Sequence, residues 1–178
     1  MSAGTDPANA APGNAPGAAT APPRLNEPAI PFRLRTTHGE RSLVDYRGRW
    51  LILLFYPLDF TYVCPTEILA LSDRYEEFVE LGADVLGVST DSVFSHRAWI
   101  HTPREQNGIA GLQFALASDI TKAVPADYGV LVEEEGIALR GLFIVDPASI
   151  LQYAVVHNLN IGRSVDETKA LRGELAQA

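Results

Sequence analysis

The chain has 178 residues and a mass of 19.3 kDa, with 47% hydrophobic and 20% charged content, the proportions of one globular domain with a sizeable core. No apolar run approaches the roughly 18 residues that a membrane-spanning helix needs, and a net charge of −8 with no basic run is a poor match for nucleic acid or an anionic membrane surface. The single cysteine, Cys64, excludes an intrachain disulfide, a disulfide-stapled secreted fold and a multi-cysteine metal site; a lone thiol suits a reducing compartment.

Residues 1–23 contain eight Ala, five Pro and three Gly, and beyond Met1 no aliphatic or aromatic side chain larger than alanine. Such a segment buries too little surface to offset its ordering entropy, so a disordered tail is expected there. It lacks the basic start and apolar stretch of a secretory signal, and a targeting or tethering role stays open. The folded domain is expected over residues 24–178. Trp50 to Tyr56 is an unbroken apolar run closed by Pro57, which suits a strand buried on both faces. From Pro65 onward Ile68, Leu71, Tyr75 and Phe78 recur at helical spacing until Gly82. Ala83 to Ser89 reads as a strand, Val93 to Ile100 as a helix closed by Pro103, and Ile120 to Tyr128 as a weaker helix with Pro125 inside it. Leu142 to Val145 and Ile150 to Val156 flank Asp146-Pro147 as a hairpin, and Ser164 with Glu167 opens a last helix by a capping box. The order predicts an α/β domain with a mixed central sheet flanked by helices.

Cys64 falls where the first buried strand has ended and the first strong helix begins. Pro65 fits the first helical position and Glu67 a capping-box carboxylate, which places the sulfur at a helix N-terminus. There the unpaired N–H groups and the positive end of the helix dipole favour an anion, so a depressed thiol pKa is expected. The competing interpretation is a buried, inert cysteine, the commoner fate of an isolated thiol.

The segment Pro57-Leu-Asp-Phe-Thr61-Tyr-Val-Cys64-Pro-Thr-Glu67 decides between them. Pro, three residues, Thr, two residues, Cys resembles the active-site signature of the peroxiredoxins, and FYPLDFTYVCPTE is similar to their AhpC/Prx1 (typical two-cysteine) branch. HRAW from His96, TPR from Thr102, DYGVL from Asp127, RGLFIVDP from Arg140 and GRSVDET from Gly162 extend the likeness through most of the folded chain. The resemblance implies a thioredoxin-like fold, reduction of hydroperoxides, and no metal or organic cofactor. It also implies roles. Cys64 attacks the peroxide as a thiolate and becomes sulfenic acid. Thr61 accepts from the peroxide, and Pro57, with no N–H, shields the sulfur. Arg140 offers a permanent cation with several donors, and Glu67 and Arg163 orient it.

Ionisation alone does not account for such an activity. A thiol of pKa about 8.5 is roughly 3% ionised at pH 7, so complete ionisation gains only about 30-fold, or about 2 kcal/mol. Enzymes lower barriers by about 8 kcal/mol or more. Donors aimed at the breaking O–O bond and positioning of the peroxide must supply the rest.

Three departures from the branch stand out. It carries a second, resolving cysteine beyond the final helix, whereas this chain has none, so either it is a one-cysteine protein or the sequence is a piece of a longer one. Asn107-Gly-Ile-Ala-Gly-Leu112 stands where over-oxidation-sensitive relatives carry Gly-Gly-Leu-Gly, and their Tyr-Phe element is missing. Sulfenic acid without a resolving thiol can still climb to sulfinic acid at high peroxide. His96 and His101 lack zinc-motif spacing; His96 and Trp99 are assigned to packing, Trp50, Phe55 and Tyr56 to the core, and Glu133 to Glu135 to a solvated turn.

The expectation is therefore a cytoplasmic thiol-dependent peroxidase acting on hydrogen peroxide and small organic hydroperoxides. The resemblance implies a thioredoxin-like or low-molecular-weight thiol as reductant, and a homodimer or a decameric ring of dimers. A thiol–disulfide oxidoreductase would need Cys-x-x-Cys, and Glu67 occupies the fourth position. A peroxide sensor or redox-regulated chaperone using the same cysteine is the alternative from another class.

Overall fold

The computed structural model describes residues 21–175 and Gln177; the expected tail lies outside the described residues apart from Ala21, Pro22 and Pro23. Nine strands run in chain order as β1 (Arg33–Thr36), β2 (Gly39–Ser42), β3 (Trp50–Phe55), β4 (Ala83–Ser89), β5 (Ala115–Ser118), β6 (Leu131–Val132), β7 (Ile137–Ala138), β8 (Arg140–Val145) and β9 (Leu151–His157). The α-helices are α1 (Cys64–Asp73), α2 (Tyr75–Glu80), α3 (Val93–His101), α4 (Ala123–Asp127) and α5 (Val165–Leu175). Seven strands form one mixed sheet in the order β2-β1-β5-β4-β3-β8-β9, while β6 and β7 pair apart from it. The β3–β4 and β4–β5 pairs are parallel, and β8 lies antiparallel to β3, with Leu53 opposite both Leu86 and Phe143.

The apolar run of β3 is explained by where it sits. Leu51, Leu53 and Phe55 pack on one face with Val88, Tyr128 and Phe143. Ile52, Leu54 and Tyr56 pack on the other with Ile68, Phe78, Trp99 and Cys64. A strand buried on both sides has no polar face to alternate with. Phe55 and Tyr56 are accordingly buried, whereas Trp50 is half-buried and carries the Arg172 guanidinium over its ring at 4.4 Å.

Two expectations are corrected. The single helix expected from Pro65 to Gly82 is two helices, because Arg74 leaves helical geometry (φ −113°, ψ 15°). Tertiary bonds hold that break: the Ser72 hydroxyl accepts the Gln113 N–H at 2.9 Å, and the Arg74 guanidinium joins Glu77 and Asp166. The helix expected from Ile120 begins at Ala123 instead. The Asp119 carboxylate accepts the N–H groups of Lys122 and Val124 at 3.1 and 2.8 Å and fixes that start. Pro125 then falls in the first turn, where its missing N–H has no helical partner to lose.

The hairpin closes as read: the Asp146 carboxylate accepts the N–H groups of Ala148 and Ile150, both at 2.9 Å. Ser164 opens α5, its hydroxyl accepting the Glu167 N–H at 3.3 Å.

Phe143 meets Phe55 edge-on at 5.7 Å and Tyr128 at 5.0 Å in the face of the core remote from Cys64. Phe143→Ala is expected to lower stability by about 3–5 kcal/mol, measured by urea unfolding, because it leaves a cavity between two rings.

Candidate functional site

The structure gathers Cys64, Glu67, Arg140 and Arg163 into one buried cluster. Cys64 is the first residue of α1, with Val63 as its N-cap, and Pro65 stands second, where the helix asks for no N–H. The sulfur belongs to the apolar face formed by Tyr56, Ile68 and Trp99, and the residue is 0% exposed. Among the described residues one polar group is hydrogen-bonded to it: Arg140 Nη2 donates to Sγ at 3.4 Å.

Arg140 begins β8 and is held on two other sides. Its Nε donates to the Leu159 carbonyl at 2.7 Å and its Nη1 to Glu67 Oε2 at 3.0 Å. Glu67 is not the capping-box carboxylate that its spacing suggested. It lies one position too far into α1 and turns away from the helix start toward the arginines. Arg163 grips its carboxylate through Nε at 2.6 Å, Nη2 at 2.8 Å and the backbone N–H at 2.7 Å. With Arg140, that makes four donors for a group with about four acceptor sites. Arg163 Nη1 is itself anchored to the carbonyls of Phe55 and Gly141, at 2.7 and 2.5 Å. Burial pushes the Glu67 carboxyl upward, but the hydrogen bonds and charges of Arg163 and Arg140 outweigh it and hold the group below its ordinary value.

Pro57 and Thr61 are brought to the loop of residues 57–63, between β3 and α1. Pro57 is buried. The Thr61 hydroxyl donates to the Leu58 carbonyl at 3.1 Å, which leaves its oxygen as an acceptor. The arrangement thus offers a sulfur, a fixed guanidinium and an oriented acceptor along the start of one helix.

Asp59, which the sequence reading left without a role, pins this loop from below. Its carboxylate accepts from Tyr56 Oη and Ser95 Oγ and meets His96 Nδ1, each at 2.8 Å, while its N–H donates to Asp91 Oδ2 at 2.9 Å. His96 Nε2 faces the Ala117 carbonyl at 3.0 Å, an acceptor, so that nitrogen carries its hydrogen. Burial and the Asp59 charge raise the Tyr56 phenol well above its ordinary value, which keeps it a donor. His96 is therefore a hydrogen-bonding group of the loop's foundation as well as a packing residue. The position of Asp59 two residues after Pro57 in the signature was its only cue in the sequence.

This fold, a mixed sheet flanked by helices with a cysteine at a helix start beside a clamped arginine, is that of a peroxiredoxin. Comparison with known proteins agrees. The model of the AhpC/TSA family matches residues 25–154. A putative peroxiredoxin in the rubredoxin operon of Clostridium pasteurianum is 51% identical over 150 residues, covering 81% of this chain and 84% of that protein. The mitochondrial thioredoxin-dependent peroxide reductase of Mus musculus is 54% identical over 132 residues, 74% of this chain and 51% of that protein. The crystal structure of the reduced Plasmodium vivax 2-Cys peroxiredoxin superposes with a TM-score of 0.84 at 37% identity, covering 88% of this chain and 83% of that one. The chain belongs to the AhpC/TSA family, and it is a thiol-dependent peroxidase.

Because the carboxyl of Glu67 is held below its ordinary value, its contribution to stability is present above about pH 4.5 and is lost as pH falls through the lower folded value. Glu67→Gln should remove that acid-side dependence and cost about 3–5 kcal/mol at neutral pH, since it leaves two buried guanidinium groups without their anion. Urea midpoints measured from pH 3 to 7 check both.

Proposed function

We infer that Cys64 is the peroxide-reacting thiol and that Arg140, Thr61 and Pro57 form its peroxide pocket. The observation that carries this is the donation of Arg140 Nη2 to Cys64 Sγ at 3.4 Å inside a buried cluster. With a thiolate at Cys64, two arginines balance two anions, whereas a neutral thiol leaves one buried positive charge uncompensated. The thiolate attacks one oxygen of the hydroperoxide. An S–O bond forms, the O–O bond breaks, and the other oxygen departs with a proton as water or alcohol, leaving sulfenic acid on Cys64. The Thr61 oxygen accepts the peroxide hydrogen, Arg140 supplies donors to the oxygens as charge develops on them, and Pro57 excludes water. Glu67 and Arg163 keep the guanidinium in place.

The full burial of Cys64 favours small substrates, hydrogen peroxide and short organic hydroperoxides. An external thiol recycles the sulfenic acid: the thiol condenses with it to a mixed disulfide and water, and a second thiol releases Cys64. A thioredoxin-like protein or a low-molecular-weight thiol fits that step, and the former has support in the name of the mouse relative. A thiol-supplying compartment such as the cytoplasm is where this cycle runs. Exposed Phe60 and Tyr62 on the loop and Phe94 on α3 support self-association as a homodimer or a decameric ring of dimers.

The test is rapid-mixing kinetics with stoichiometric hydrogen peroxide and a sulfenic-acid trap. Wild-type protein should lose its thiol and accept the trap at Cys64, and Cys64→Ser should do neither. Arg140→Ala should keep the thiol but lose about 10²- to 10³-fold in the second-order rate, the usual effect of removing a preorganised donor. An unchanged rate in Arg140→Ala removes that residue from the mechanism.

A further inference from the structure

Asn107 ends the 3-10 turn Arg104–Gln106 in the left-handed region (φ 63°, ψ 24°). Its side-chain nitrogen lies 3.2 Å from the carbonyl oxygen of Phe60 and 3.1 Å from that of Thr61. Both oxygens only accept, so the amide's NH2 must face them. The turn that carries Asn107 is itself fixed to α3. The Asn107 carbonyl accepts the Trp99 indole N–H at 2.9 Å. At Gly108 an added Cβ would come within 1.9 Å of the Thr102 carbonyl oxygen, so only glycine lets the turn press against the end of that helix.

On the other side of these bonds the loop is under tension. Phe60 has φ 59°, a conformation that a bulky aromatic residue holds only where its surroundings enforce it. Its ring lies on Trp99 at 5.9 Å, so one indole touches both the loop and the turn that holds the loop. The two carbonyls bound by Asn107 belong to this strained residue and to the residue that offers its hydroxyl oxygen to the peroxide. Sulfur at 0% exposure is closed to a bulky thiol, so a loop that admits the reductant has to break these bonds.

Resting on the assignment of Cys64 as the peroxide-reacting thiol, we propose that Asn107 is the latch of the 57–63 loop, setting the balance between a closed form that reacts with small hydroperoxides and an open form in which bulky thiol chemistry reaches the sulfur. A neutral hydrogen bond shifts such a balance by roughly two- to tenfold. Two of them tune the loop without locking it. Asn107 touches no reacting atom; it is a positioning residue.

Two variants test the latch. Asn107→Gly keeps the positive φ at ease and removes the amide. Asn107→Asp keeps the size and the tolerance of left-handed geometry, but sets a carboxylate against two carbonyl oxygens. In each, the second-order rate of the reduced protein with hydrogen peroxide is compared with its rate toward 5,5′-dithiobis(2-nitrobenzoate), and the melting temperature is recorded. The peroxide rate should fall and the reagent rate should rise, each by roughly three- to tenfold, with the melting temperature within about 4 °C of wild type. Phe143→Ala, a larger loss of stability away from the loop, should leave the ratio of the two rates near the wild-type value. The proposal is overturned if the ratio stays within about twofold of wild type in both Asn107 variants, or if Phe143→Ala moves it as far. A wild-type protein inert to peroxide would instead refute the assignment of Cys64, while the reagent rates would still report on the latch.

Discussion

The site depends on a carboxylate held between two guanidinium groups. Arg140 and Arg163 lie 73 and 96 positions from Glu67 along the chain, yet their side chains are buried and the three residues share four hydrogen bonds. Taking three charges out of water is costly, and this arrangement is stable only because every acceptor of Glu67 finds a donor. It also ties α1 and the segment before α5 to the paired strands β3 and β8. Glu67 brings α1, Arg140 brings the start of β8, and Arg163 joins the ends of β3 and β8 through the Phe55 and Gly141 carbonyls. Cys64 lies one turn before Glu67 on the same helix, so its sulfur inherits the position that the ion cluster imposes.

A second set of bonds does for the preceding loop what the arginines do for the helix. Asp59 is joined to Tyr56, Ser95 and His96, and its N–H to Asp91. These groups stand just past β3, on α3 and just past β4, elements already fixed by the apolar face that also contains Cys64. The Cys64 sulfur is thus buried among hydrophobic side chains while a guanidinium edge reaches it. That combination reconciles the two interpretations of a lone cysteine: Cys64 is as buried as an inert thiol and as polar in its single contact as a reactive one.

Much of the frame was legible in the chain. β3, β4, α3 and the β8–β9 hairpin show the periodicity their burial requires, because each has a continuous apolar run or a helical stripe facing one of the two core faces. β1, β2 and β5 escaped for physical reasons. β1 reads Arg-Leu-Arg-Thr, β2 reads Gly-Glu-Arg-Ser and β5 reads Ala-Leu-Ala-Ser, short segments whose strand character comes from their neighbours rather than from their own side chains. Of the site, the sequence placed Cys64 at a helix start and, through family likeness, named Pro57, Thr61, Arg140, Glu67 and Arg163. It mistook the spacing of Glu67 for a cap, and it missed Asp59 and Asn107, most of whose partners lie 32 to 47 positions away.

What the amino-acid order determined by itself was local: a strand buried on both faces, a proline-marked helix start carrying the only thiol, and a hairpin turned at Asp146-Pro147. These follow from backbone stereochemistry and hydrophobic period, which act over a few residues. Tertiary structure decided which charges meet. An arginine becomes the partner of a sulfur only when the β3–β8 register carries it there, and a glutamate becomes its clamp only when a second arginine arrives from the far side of the hairpin. Electrostatic pairing acts through space and leaves no period in the chain, so it was for the folded sheet to bring these groups within hydrogen-bonding distance.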